Sequence, residues 1–317
     1  MLIILLPKES LRRMKIIFFG TPDFAIPSLR KLYESENEIA AVVTAPDKER
    51  GRGRKVTFTP VKEFAVENGI PVLQPENLKS ENFADDLKNF NADLFVIVAF
   101  RILPESVFML PRFGSFNLHG SLLPKYRGAA PIQWALINGD KVTGVTTFFL
   151  ERKVDTGNII LQREVEILPE DDFGSLHDKM SETGADVVLE TVNLIKSGNV
   201  ELKRQDSSLA SKAPKITKEL AQINWNEPAD KIVNLVRGLS PFPGAYFILN
   251  GKIYKVYKAR GASVNLAPGQ IKETKREIFV GAGNDSSVEI LDIKPEGRKR
   301  MSADEFLRGY SLTEETK

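Results

Sequence analysis

The chain contains no cysteine, which removes disulfides, thiol nucleophiles and cysteine metal ligands at once. It has two histidines, His119 and His177, too few and too far apart for a histidine-rich metal cluster, so no metal is expected. Long apolar runs are missing as well: Met1–Leu6 is apolar but is stopped by Pro7 and followed by mixed charge, too short for a signal-peptide core or a membrane span. The loop after the first apolar run, Gly20-Thr21-Pro22, has one glycine where a dinucleotide fingerprint needs three, and its proline removes a backbone donor. A nicotinamide oxidoreductase is therefore the last of the readings to entertain.

What remains is a soluble globular composition, 42% hydrophobic and 27% charged over 317 residues, enough for two domains. The net charge of +2 is uneven, because residues 208–317 hold 18 basic and 13 acidic side chains, a net of +5, leaving −3 for the rest. That permits a polyanion partner for the second half without demanding one. The lack of cysteine is consistent with a reducing, cytoplasmic location.

Met14-Lys15 directly precedes the first strand-like run, so residues 1–13 are read as an N-terminal extension. Ile16–Phe19, Ile39–Val43 and Leu94–Val98 are short apolar runs of the kind buried on both faces of a parallel sheet, separated by helical spacing such as Ile26, Leu29 and Leu32. An α/β domain is expected over residues 14–198. Ser197-Gly198-Asn199 opens a polar stretch to Lys215 that reads as a linker, 199–215. Beyond it, over 216–317, a helix at Ala229–Leu239 is followed by strands at Ala245–Leu249, Lys252–Lys258, Ile278–Val280 and Val288–Ile293, punctuated by Asn250-Gly251 and Gly283-Asn284-Asp285. A small β-barrel is expected there.

The chemistry concentrates at Phe116-Asn117-Leu118-His119-Gly120-Ser121-Leu122-Leu123-Pro124. Asn117 and His119 lie two apart at the carboxyl end of a strand expected over Gly114–Leu118, hence on one face and where open sheets bind ligands. The asparagine offers amide donors to a developing oxyanion, and the imidazole can exchange a proton near neutral pH. Asp155-Thr156-Gly157 reads on its own as a turn. Asp47–Lys55 carries five basic and two acidic residues interleaved with glycine, expected to be a flexible loop suited to phosphates. His177, on a polar amphipathic helix expected at Ser175–Lys196, is read as solvated.

Asn117-x-His119-Gly120-Ser121-Leu122-Leu123-Pro124, followed by Tyr126-Arg127-Gly128-Ala129-Ala130-Pro131-Ile132-Gln133-Trp134, resembles the folate-dependent formyltransferases. Phe19-Gly20-Thr21-Pro22-Asp23-Phe24 and Asp155-Thr156-Gly157 extend the likeness, in family order, from about Met14 to near residue 310. The resemblance implies a Rossmann-like catalytic domain followed by a smaller OB-like β-barrel domain. It implies Asn117, His119 and Asp155 as the catalytic set, 10-formyltetrahydrofolate as formyl donor, and the α-amino group of methionyl-initiator tRNA as acceptor. Folate would be bordered by Ser121, Leu122, Leu123 and Pro124 and by Phe100 and Ile102, in a segment where Phe100-Arg101 replaces the family's usual Tyr-Gly and is one residue shorter. Arg101 is left to pair with a carboxylate or to face water. The tRNA would meet Arg50, Arg52, Arg54 and Lys55 of the basic loop, and Lys215. A monomer is expected. Two alternatives stand beside this reading: a relative that formylates an amino-sugar nucleotide or another small amine, and a noncatalytic RNA-binding protein.

Overall fold

The structure is a computed structural model and describes residues 13–50 and 55–313. Two compact units divide the chain. The first comprises the described residues up to Gly128, with Gly144–Val165 and His177–Lys212; the second comprises Ala129–Thr143, Glu166–Leu176 and the described residues from Ala213 onward.

In the first unit β1 (Lys15–Gly20), α1 (Ile26–Tyr33) and β2 (Glu38–Val43) are followed by a hairpin of β3 (Lys48–Arg50) and β4 (Lys55–Thr57), then α2 (Pro60–Glu67) and β5 (Val72–Leu73). Next come α3 (Glu81–Asn89), β6 (Leu94–Val98), α4 (Glu105–Phe108), β7 (Ser115–His119) and the short β8 (Arg127–Gly128). After α5 (Pro131–Ile137), which belongs to the second unit, β9 (Val142–Phe149), β10 (Ile159–Glu166) and α6 (Phe173–Ser197) follow. Seven strands form one mixed sheet in the order β10-β9-β7-β6-β1-β2-β5. The β5-β2-β1-β6-β7 portion is parallel, and β9 runs antiparallel to β7.

The parallel part is built outward from β1 in both directions, the doubly wound order whose ligand crevice opens at the carboxyl ends where the order reverses, here between β1 and β6. The two-sided apolar runs explain it: every residue of β6 is buried, as is β1 from Ile16 onward, because helices cover both faces. One face packs Ile17, Phe19, Val43, Phe95 and Ile97 against Phe83 and Leu87 of α3 and Val107 and Phe108 of α4.

In the second unit β11 (Lys212–Ala213) and α7 (Lys218–Ala221) lead to α8 (Ala229–Gly238). An antiparallel sheet then follows from β12 (Ala245–Leu249), β13 (Lys252–Ala262), β14 (Ile271–Glu273), β15 (Ile278–Ala282), β16 (Ser286–Pro295) and β17 (Met301–Ser302), closed by α9 (Ala303–Leu307). The order is β12-β13-β16-β15-β14, with β17 on β16. Ile232 and Val236 of α8 and Phe306 of α9 share a core with Phe247, Val256, Ile278, Val280, Ile290 and Ile293 of the sheet. The strands of this sheet run longer than their apolar runs: β13 continues past Lys258 through a register shift between Val256 and Ala259, a bulge that no periodicity announces. Among the described residues no helix is long and apolar enough to cross a membrane.

Two local expectations change. The basic stretch is not simply a loop: Lys48↔Thr57, Glu49↔Val56 and Arg50↔Lys55 pair as an antiparallel hairpin, since its glycines fall between the pairing residues and leave the flanks free to extend. His177 is not solvated. Its side chain is 18% exposed, packs edge-on against Phe24 and lies 3.0 Å from Asp178, because its helix lies against the loop after β1.

Candidate active site

Asn117 and His119 project from the end of β7, the strand paired with β6 on one side and β9 on the other. The strand extends one residue further than its apolar pattern, so His119 itself occupies the last position. Asn117 is half-buried, and among the described residues its side-chain amide makes no hydrogen bond to protein. It is a donor with capacity to spare. His119 is buried, and its Nε2 lies 2.9 Å from the carbonyl oxygen of Tyr126. A carbonyl can only accept, so Nε2 carries a proton and Nδ1 is the nitrogen left to take or give one.

Tyr126 presents that carbonyl through a left-handed backbone, φ 60°, while its own N–H donates to Ser211 Oγ at 2.9 Å. On the other side of the ring, Nδ1 lies 3.9 Å from Asp155 Oδ2. That is beyond hydrogen-bond length, and both side chains are shielded from solvent. The same Oδ2 accepts the Gly128 N–H at 2.9 Å, which fixes its direction.

The turn carrying Asp155 is held from below. Asp155 adopts φ 55°, a conformation that aspartate tolerates better than most side chains. Gln205 Nε2 donates to the carbonyls of Asp155 (3.0 Å) and Gly157 (2.8 Å), and Gln205 Oε1 accepts Nε and Nη2 of Arg127 at 3.1 and 2.7 Å. Gly157 admits no side chain, since a Cβ there would sit 1.7 Å from the Phe149 carbonyl oxygen. Gln205 lies within the polar stretch read as a linker. That stretch is bound into the first unit as far as Lys212, with Lys203 bridging to Ile159 and the Arg127 N–H donating to the Ser211 carbonyl at 2.9 Å.

The residues assigned to folate fall into two groups. Ser121 is fully buried and donates to the Lys125 carbonyl at 2.6 Å; Leu123 is buried against Phe148 and Ile159. Their side chains hold the turn. Leu122 and Pro124 are half-buried, and the Leu123–Pro124 bond is cis. The turn hangs on Thr146, whose hydroxyl donates to the Ser121 carbonyl (2.6 Å) and accepts from Leu123 N–H (3.1 Å) and Gln162 Nε2 (3.0 Å). Neither Thr146 nor Gln162 stands out in the sequence.

At the end of β6, Ala99 takes φ 49°, Phe100 packs on Phe19 with ring centroids 5.6 Å apart, and Ile102 is 74% exposed. Arg101 neither pairs with a carboxylate nor simply faces water: Nη2 and Nη1 donate to the carbonyls of Pro75 and Glu76 at 2.7 and 3.3 Å, and burial pushes the guanidinium below its ordinary value. The two carbonyls just past β5 take Nη1 and Nη2, while the buried Nε is left without a hydrogen-bond partner.

Of the residues assigned to tRNA, Arg50 and Lys55 face each other as a backbone pair in the hairpin, and Arg52 and Arg54 lie outside the described residues. Lys215 is exposed, beside a Pro214 carbonyl that accepts Trp134 Nε1 at 2.8 Å.

A buried imidazole between a carbonyl and a carboxylate, with a free amide two residues away at a sheet's carboxyl edge, is the equipment of acyl transfer to an amine. The formyl transferase model matches residues 14–192 and the formyl transferase C-terminal domain model matches residues 215–311, so the chain belongs to the formyl transferase family. Within that family it is 46% identical, over 96% of its length and 99% of the other's, to methionyl-tRNA formyltransferase of Caldanaerobacter subterraneus subsp. tengcongensis. It is 43% identical, over 97% of both chains, to the protein of the same name from Bacteroides fragilis strain ATCC 25285. Among solved structures, the sugar 3N-formyl transferase WlaRD, crystallised with dTDP and 5-N-formyl-THF, superposes with a TM-score of 0.65 at 19% identity, over 91% of this chain and all of that one. HypX from Aquifex aeolicus with tetrahydrofolic acid gives 0.64 at 18% identity, over 94% of this chain and 48% of that one. At such identities the structures speak for the fold.

Proposed function

We propose that the protein moves the formyl group of 10-formyltetrahydrofolate to the α-amino group of methionine esterified to initiator tRNA, in the cytoplasm, in support of translation initiation. The observation that carries this reading is the Asn117–His119–Asp155 arrangement in a chain whose near-full-length relatives bear the name methionyl-tRNA formyltransferase.

The folate supplies an activated formyl group on a nitrogen that can leave. Fit rests on the exposed Ile102, the half-buried Phe100, Leu122 and Pro124, and the backbone of Ser121–Pro124, an apolar edge suited to a flat heterocycle. Asn117 Nδ2 would donate to the formyl oxygen as it gains negative charge. His119 Nδ1 would accept the proton that the attacking amine sheds and deliver it to the departing nitrogen, so that one C–N bond forms, one breaks and the proton balances. Asp155 would stabilise the imidazolium across 3.9 Å and hold the Gly128 turn in place. The basic hairpin supports tRNA over a small amine, for which five basic residues between Lys48 and Lys55 have no use.

The test offers methionyl-initiator tRNA and an amino-sugar nucleotide side by side with 10-formyltetrahydrofolate. Formylation of the tRNA supports the reading; formylation of the sugar alone would reassign the acceptor, and formylation of neither would turn the basic hairpin into evidence for plain RNA binding.

A further inference from the structure

We infer that Phe58, at the foot of the basic hairpin, is a stacking platform for a nucleobase of the unpaired 3′ end of the tRNA acceptor arm; this rests on the function proposed above. Phe58 joins β4 to α2 and is 45% exposed, an unusual place for a large ring beside a charged hairpin. It is not a loose side chain on a loose loop. Thr59, the next residue, caps α2 by accepting the Lys62 N–H at 3.1 Å, and its hydroxyl shares a 2.7 Å hydrogen bond with the buried Thr44 at the end of β2. The two feet of the hairpin are thereby joined.

Lys62 completes the mount. Its ammonium sits 4.0 Å from the Phe58 ring centroid, ion-paired to Asp47 and donating to Gln74 Oε1 at 2.9 Å, while Gln74 Nε2 donates to Asp47 and to the Ala45 carbonyl, both at 2.8 Å. One face of the ring is covered by a fixed cation, so the exposed area belongs to the other face and the rim. A ring held this way can accept any base, and an aromatic flanked by basic residues is how single strands are gripped without regard to sequence. Duplex bases are stacked on each other and cannot use it; an unpaired end can.

The distance suits such an end. The hairpin leaves the carboxyl end of β2 and His119 stands at the carboxyl end of β7, with β1 and β6 between them in the parallel sheet. Three strand spacings make about 14 Å. That is about four nucleotides at the roughly 3.4 Å per phosphate of a stacked strand. An aminoacyl group at His119 therefore leaves the last few bases of its strand within reach of Phe58.

The experiment measures binding of uncharged initiator tRNA, intact and with its unpaired 3′ nucleotides removed, to the full chain and to Phe58→Leu and Phe58→Trp, each checked for an unchanged melting temperature. Stacking contributions per base predict that Phe58→Leu weakens intact tRNA by roughly five- to a hundredfold. Binding of the truncated tRNA should be unchanged by the substitution, and Phe58→Trp should retain affinity with its added fluorescence quenched by intact tRNA only. Equal losses for both tRNAs, or no loss for either, would overturn the stacking role while leaving the functional reading intact. A wild-type chain that binds and formylates no tRNA would overturn both.

Discussion

Replacing Thr146 by valine removes one hydroxyl and nothing of comparable size, yet that hydroxyl holds two backbone groups of the Ser121–Pro124 turn to the sheet. Its partners are the Ser121 carbonyl at 2.6 Å, the Leu123 N–H at 3.1 Å and Gln162 Nε2 at 3.0 Å, and Thr146 itself is fully buried. Gln162 keeps a second partner, the Leu123 carbonyl at 2.9 Å, but the two backbone groups of the turn are left without one. An unsatisfied buried group costs about 1–3 kcal/mol, so with two of them Thr146→Val should lose about 2–6 kcal/mol. Thr146→Ser keeps all three bonds and gives up one methyl, about 1 kcal/mol. Both tryptophans, Trp134 and Trp225, lie in the second unit, so urea unfolding of the first should be followed by circular dichroism. Valine should lower the midpoint well beyond serine and depress kcat/KM as the turn relaxes. A valine variant within about 0.5 kcal/mol of the wild type, or a serine variant equally damaged, would refute the role given to this hydroxyl.

Gln205→Ala leaves the carbonyls of Asp155 and Gly157 and the Arg127 guanidinium short of partners, and should cost about 2–4 kcal/mol while reducing kcat more than it alters tRNA affinity, as denaturation and steady-state kinetics would register. Asp47 is held below the usual carboxylate range by hydrogen bonds from Lys62 and Gln74. Its contribution is complete above its unfolded value of about 3.9 and is lost as the pH falls through the lower folded value. The melting temperatures of wild type and Asp47→Asn should thus differ at neutral pH, begin to converge below about pH 4 and meet once the pH is below the folded value; a gap that does not narrow at all in acid would contradict the assignment. Alanine at Arg50, Arg52 and Arg54 together should weaken tRNA binding and flatten its dependence on salt, read by titration at several ionic strengths.

The sequence spoke most clearly where structure is local. Asn117 and His119 share a face because two strand residues always do, and the buried runs of β1, β2 and β6 are apolar throughout because helices cover both sides. Asp155 was readable only through resemblance: its approach to His119 depends on β9 and β10 folding back beside β7. Gln205, Thr146 and Gln162 carry no local signature, since what makes them matter is a set of hydrogen bonds to residues between 16 and 78 positions away. The paired flanks of the basic hairpin were hidden by charge and glycine, and two-residue strands such as β5, β8 and β11 are too short to show a period.

The most direct test of the whole account is single-turnover transfer from 10-formyltetrahydrofolate to methionyl-initiator tRNA by the wild type, Asn117→Ala and His119→Ala, each with tRNA binding measured separately. Loss of one oxyanion donor predicts a rate about 100- to 1,000-fold lower for Asn117→Ala. His119→Ala should fall by a comparable factor or more, with tRNA affinity preserved in both. Wild-type rates in either variant would contradict the placement of the chemistry at the end of β7.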